Sequence, residues 1–242
     1  MISKTVESIG CELEGGTDSA WAELTLSKYR TAELNHDGSV SVDEFDFDDA
    51  EITFWSKSKR EFKQFIKEIF NGEFLQNSTC GNHIHLRFKN LDKAIAVFSM
   101  PHVQKMFLDE YRKFAATRKR RSRYLSRLTN SYCSGEVQER VIINQLTEPY
   151  RDDSRYRAIN LNCVQETNTI EFRVFPHVES AREYLEMVGW LCELVDELMN
   201  CGHAYEVPIT IPKPKEEELG TIIIKKGVIT ENVNIYGVPI TY

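Results

Sequence analysis

Three short segments place ionisable side chains two residues apart around a single apolar one: Glu12-Leu13-Glu14, His83-Ile84-His85 and Glu171-Phe172-Arg173. A β-strand turns successive side chains to opposite faces, so residues two apart share a face. Each segment therefore reads as a strand with one apolar face and one charged or imidazole face. Glu51 adds a carboxylate from a fourth strand, Glu51-Ile52-Thr53-Phe54-Trp55, on the same face as Thr53. If these polar faces line one side of a single sheet, they converge on a cleft. The apolar faces must then be covered, and 242 residues with 41% hydrophobic side chains are enough for one sizeable core.

Helical periods supply the cover. Phe62, Phe65, Ile66, Ile69 and Phe70 form one apolar stripe, closed by Asn71-Gly72. Two further helices are expected over about 92–99 and 101–116, with Pro101 in the first turn of the second. Ser180 and Glu183 have capping-box spacing and open a helix carrying Leu185, Val188, Leu191, Leu194, Val195 and Leu198. The first strand runs from Val6 to Glu14 and is expected to break at Gly15-Gly16. Arg157–Val164 and Thr169–Phe175 read as neighbouring strands turning near Thr167-Asn168. Strands and helices do not alternate as βαβ units, which predicts an α+β fold with a largely antiparallel sheet covered by helices on one face. Residues 1–203 are read as the main domain. Residues 204–242, with Pro208, Pro212 and Pro214 and short strands at Thr221–Ile224 and Val233–Tyr236, are read as a β-rich appendage suited to an oligomer contact.

Composition narrows the class of function. The formal net charge of −7 argues against a dedicated nucleic-acid coat protein. The six cysteines form no CxxC pair, so a finger-type zinc site is not expected. No stretch approaches the ~18 apolar residues of a membrane helix and the N-terminus has no apolar leader, so a cytoplasmic protein is expected.

The combined polar set suits phosphoryl chemistry. Mg²⁺ takes hard oxygen ligands and binds nucleotide phosphates together with protein carboxylates. An arginine fork complements a transferring phosphoryl group. Taken singly, Glu-x-Glu on an antiparallel sheet is usually a solvated face, and Glu-x-Arg a same-face ion pair of little energetic value. Their joint occurrence carries the argument.

In chain order the segments Ile9-Gly10-Cys11-Glu12-Leu13-Glu14, His36-Asp37-Gly38-Ser39-Val40, the Glu51 strand, Cys80-Gly81-Asn82-His83-Ile84-His85, Arg155–Leu161 and Thr169-Ile170-Glu171-Phe172-Arg173 resemble the amidoligase family. These are small relatives of glutamine synthetase, and the resemblance spans roughly residues 6–200. It implies a curved antiparallel sheet with helices on its convex side and an ATP-dependent carboxylate–amine ligase using Mg²⁺, with Mn²⁺ as the alternative ion. It further implies metal ligation by Glu12, Glu14, Glu51, His85 and Glu171, and nucleotide contacts from His83, His85, Arg157 and Arg173. Arg173, Arg157 and Asp37 are the implied catalytic residues, with Ser39 near the substrate end. The implied partners are a carboxylate and an amine, peptide-like in some relatives; no membrane partner is expected, and the acidic balance disfavours nucleic acid.

Arg118-Lys119-Arg120-Arg121-Ser122-Arg123 and Arg127 form the densest charge cluster. The simplest reading is a solvated helix face paired with acids. The others are a nucleic-acid patch on a catalytically silent relative, or one arginine turned into the cleft. A phosphotransferase on the same fold is a further alternative.

Overall fold

The computed structural model describes residues 3–42, 47–147 and 155–201, together with the backbone of three short strands between 209 and 229. The first strand, β1 (Val6–Thr17), lies inside an open antiparallel sheet. It pairs on one side with β3 (Asp48–Ser56), which in turn pairs with the edge strand β2 (Glu33–His36). On the other side it pairs with β5 (Gly81–Phe88), followed by β7 (Ile170–Pro176) and the two-residue β6 (Ile159–Asn160). A short β4 (Phe74–Leu75) joins the far end of β1. The antiparallel α+β class expected from the sequence is the one observed.

One face of this sheet is apolar. Cys11, Leu13, Ile52, Phe54, Ile84, Leu86, Ile170 and Phe172 alternate with the polar residues and are buried. Helices cover them. In α2 (Lys59–Phe70), Ser58 Oγ caps the first turn by accepting from the Glu61 N–H, and Phe65 stacks on Phe54 with ring centroids 4.0 Å apart. Helix α3 (Leu91–Phe98) is followed by α4 (Pro101–Ala116), which has Pro101 at its start where no N–H is needed. The long α8 (Ala181–Cys201) brings Trp190 against Phe107 and Phe114 of α4 and Phe175 of β7. Among the described residues no helix is long and apolar enough to cross a membrane.

Four local expectations need correction. β1 does not stop at Gly15-Gly16, because both glycines stay in the ladder opposite Ala50 and Asp49. A Cβ on Gly15 would lie 2.5 Å from the Leu75 carbonyl and the Phe74 ring, so the glycine permits the close approach of β4. The expected strand at Arg157–Val164 shrinks to Ile159–Asn160. There the Asn160 Oδ1 accepts from the Asn162 N–H and turns the chain into the short helix α7 (Cys163–Thr167), which ends at Asn168 with φ 55°. Ser180 Oγ does accept from the Glu183 N–H, but the Glu183 carboxylate accepts from the Tyr124 hydroxyl and ties α8 to α5 (Arg121–Arg127). Two helices were not anticipated. In α1 (Ser19–Leu26), Asp18 caps the Trp21 N–H. The other is α6 (Glu139–Thr147).

In the tail, β8 (Ile209–Thr210), β9 (Ile223–Lys225) and β10 (Val228–Ile229) form a small antiparallel sheet. The strand expected at Val233–Tyr236 lies outside the described residues.

Candidate functional site

The opposite face of the sheet gathers the ionisable residues by register. Glu12 sits opposite His83, Glu14 opposite Glu51, His85 opposite Glu171, and Glu171 opposite Asn160. Five adjacent strands thus present one polar row above the apolar face that anchors them. His83 lies at its centre and is only 2% exposed. Its Nδ1 is 2.8 Å from Glu12 and 3.2 Å from Glu171, and its Nε2 is 3.2 Å from Glu14. His85 Nε2 is 2.8 Å from the other oxygen of Glu12, while its Nδ1 faces the Thr169 hydroxyl at 3.1 Å. The Nε2 atoms of both histidines are buried and lack a partner in hydrogen-bonding geometry despite these close carboxylates. Such atoms suit an electrophile that replaces a proton, as a cation does.

The row floors a cavity of about 570 Å³. One wall is acidic, with Glu12, Glu14, Glu51 and, from the loop after β2, Asp37 and Ser39. The same lining carries Arg173, Arg127 and Arg155 with Tyr132 and Tyr156. Arg173 Nη1 donates to Glu171 at 2.6 Å and its Nε to the Tyr132 carbonyl at 3.2 Å, so the guanidinium is held from two sides. Arg155 lies over the Tyr156 ring, 4.8 Å from its centroid.

The carboxylates do not share one electrostatic fate. Burial opposes ionisation of Glu12, but His85 and His83 outweigh it and hold the carboxyl well below the usual range. Glu171 is likewise lowered against its burial, chiefly by Arg173. Glu51 has no such cation. Burial, reinforced by the charges of Glu12, Asp37, Glu14 and Glu171, pushes it up to about 8. For His85, burial is overcome by the charge and hydrogen bond of Glu12, then by Glu171, raising it to about 9.

Two groups have metal-ligand spacing, with donor atoms within 4.8 Å of one another: Glu12, Glu51 and His83, and His85, Cys163 and Glu171. The first offers two hard oxygens and a nitrogen, which fits a divalent cation bound by carboxylates. The second is poorer for Mg²⁺. The Cys163 thiol is kept protonated by burial and by Glu171. Glu171 itself already accepts from Asn160, Cys163 and Arg173.

A family model described as "putative amidoligase enzyme" matches residues 60–193, more than half of the chain. The chain belongs to the amidoligase family. It is accordingly a ligase-type enzyme. No curated protein and no solved structure matches it. The amidoligase match includes His83, His85, Arg127, Glu171 and Arg173, whereas Glu12, Glu14, Asp37 and Glu51 precede it. The sheet register carries Glu12, Glu14 and Glu51 into the same site, and the loop after β2 brings Asp37.

Of the amidoligase residues singled out from the sequence, Glu12, Glu14, Asp37, Glu51, His83, Glu171 and Arg173 line the cavity. His85 lies beneath them against Glu12. Arg157 is turned elsewhere. It faces Glu136 at 3.7 Å and lines a small crevice with Gln104 and Leu108. It precedes β6 and forms an isolated bridge with Ser134 instead of a strand position over the cleft. Asn160, Tyr132 and Tyr156 were missed as site residues, and Arg127 is the arginine of the basic run that enters the cleft, an alternative the sequence left without a residue. Asn160 lay in an expected strand but carried no charge to mark it, and nothing local distinguishes Arg127 from its exposed neighbours.

Proposed function

We propose that this amidoligase joins a carboxylate to an amine at the expense of ATP, through an acyl phosphate. The observation that supports this reading is the meeting of a carboxylate row and three arginines in the lining of one cavity. A nucleotide triphosphate needs both. Bound Mg²⁺, or Mn²⁺ in its place, supplies neutralisation of the phosphate charge. Glu12 and Glu51, with His83 beside them and Glu14 adjoining, would hold it, and Glu171 would join only by exchanging its present donors. Arg173, fixed by Glu171 and Tyr132, stabilises charge on the transferred phosphoryl group. A substrate carboxylate oxygen bonds to the γ-phosphorus as its bond to ADP breaks. The amine nitrogen then bonds to the acyl carbon, the carbon–oxygen bond to phosphate breaks, and the amine proton leaves to a carboxylate of the acidic wall. Asp37 and Ser39 also line the cavity and, in this reading, serve its substrate end.

The arrangement of the arginine run favours this over a nucleic-acid role. Arg118 pairs with Glu186, and Arg120 and Arg123 pair with Glu179, so these cations are already matched to acids of the same chain. The reading also takes residues 1–203 as the catalytic unit and 204–242 as an oligomer contact, in a cytoplasmic enzyme. The test is release of ADP and phosphate from Mg·ATP while panels of acids and amines, including short peptides, are added singly and together. Turnover that needs both supports a ligase. Turnover that needs the acid alone and leaves a stable phosphorylated acceptor makes the protein a phosphotransferase.

A further inference from the structure

The arginine run contains one member that behaves unlike the rest. Arg127, the last residue of α5, is 7% exposed and lines the cavity. Its Nη2 donates to the Arg173 carbonyl at 3.3 Å, and its buried Nε has no partner. Arg118, Arg120, Arg123 and Arg157 each face a glutamate, yet no described carboxylate pairs with Arg127. Glu14 lines the same cavity, but its carboxylate is taken by the Gly81 N–H at 2.5 Å and by His83. A buried cation without an anion is costly, and its retention calls for a ligand that completes it.

The backbone beneath it is fitted to the guanidinium. A Cβ on Gly81 would lie 2.4 Å from Arg127 Nη2 and 2.9 Å from its Cζ. Glycine at this position therefore gives the guanidinium its seat. The Cys133 thiol donates to the Arg127 carbonyl at 2.7 Å and fixes the end of the helix. Because Arg127 donates to the backbone of Arg173, the two arginines stand together in the lining of the cavity that the carboxylates share.

We infer that Arg127 is the anion receptor of this cavity, binding an oxyanion of the substrates alongside Arg173 through a seat that Gly81 keeps open. The shared chemistry is a phosphoryl or carboxylate oxygen pair, which a planar guanidinium meets with parallel N–H bonds. The identity of that oxyanion rests on the ligase reading. The anion site itself rests on burial, the missing acid and the glycine seat. No described carboxylate pairs with Arg127, so its removal takes away an unmatched charge together with one hydrogen bond to the Arg173 carbonyl.

The experiment titrates the full-length protein with tripolyphosphate, inorganic phosphate and succinate, with and without Mg²⁺, by calorimetry, and records melting temperature in parallel. Arg127→Met should weaken the binding of the relevant anion about 10-fold or more while the ligand-free melting temperature holds or rises. Arg127→Lys should fall between, since it keeps the charge without the fork. Gly81→Ala should reproduce the Met variant with the arginine intact, and it decides the matter if Arg127→Met does not fold. Arg120→Ala, in the same run, should bind as the parent does. Loss confined to the phosphates assigns Arg127 to the nucleotide, and loss confined to succinate assigns it to the acid substrate. Equal binding by parent and both cavity variants overturns the inference, as does a parent that binds none of the three anions. Arg127-dependent phosphate binding in a protein that consumes no ATP with any acid and amine leaves the anion site standing and removes the ligase.

Discussion

The two faces of one sheet obey opposite rules, although the same strands build both. On the helix side, Leu13, Ile84 and Phe172 are fully buried and belong to one hydrophobic cluster. On the cavity side, Glu14, His83 and Glu171 are nearly as buried, yet they meet one another as charged or polar partners. Burial on the first face stabilises the fold at roughly 25 cal/mol for each Å² of apolar surface. Burial on the second costs free energy that only matched partners or a ligand can return. One residue of strand therefore separates a position selected for packing from a position selected for chemistry.

That contrast can be broken at either face. The largest effect is expected from Phe172→Ala, which empties a site packed by Phe98 and Phe107. It should cost about 3–5 kcal/mol in denaturant unfolding, and a smaller loss would mean the core repacks around it. Across the strand, Glu12→Ala should lower ATP turnover by about 100-fold or more while leaving circular dichroism and the cooperative melt intact. Full turnover would remove Glu12 from the chemistry. Arg173→Lys should lose on the order of 10-fold in turnover, because the ammonium cannot both serve Glu171 and present a planar fork; unchanged kinetics would argue against a phosphoryl contact.

Glu51 sharpens the comparison through pH. Its folded pKa of about 8 lies above the ordinary carboxylate value, so the folded protein keeps a proton that the unfolded chain has already released. Its contribution is intact below about pH 4 and is lost as pH rises through about 8. Glu51→Gln should therefore stabilise the metal-free protein by on the order of 1–2 kcal/mol at pH 9, a figure discounted for partial exposure, and by less at pH 6. Added Mg²⁺ should narrow the gap, and a gap independent of pH would show that Glu51 is not held protonated. The smallest effect is expected at Arg182, whose pair with Glu186 lies on the exposed side of α8. Arg182→Ala should change stability by less than about 0.5 kcal/mol, setting the scale for an ion pair in water against those in the cavity.

Much of the site was legible because period-two alternation is a local property. Glu12 and Glu14, His83 and His85, and Glu171 and Arg173 had to share faces wherever their strands lay, and Leu13, Ile84 and Phe172 had to face the other way. Helices α2 and α4 were legible for the same reason, from an apolar stripe and from Pro101. Arg157 and Arg127 were not. Their chemical identity is the same, and their destinations depend on two turns, at Asn160–Asn162 and after Arg127, that no periodicity announces. The fate of Gly15 and Gly16 depended on β4, a two-residue strand too short to carry a pattern.

The sequence by itself determined which side chains travel together and which surface of each strand seeks water, since a few bonded neighbours decide both. The tertiary structure decided which strands stand side by side. It set β1 between β3 and β5, brought Glu171 opposite His85 across 86 residues of chain, and drew one arginine of a basic run into the cavity. Those choices belong to the whole core. They follow from covering one continuous apolar face with α2, α4 and α8, an energy summed over residues far apart in sequence.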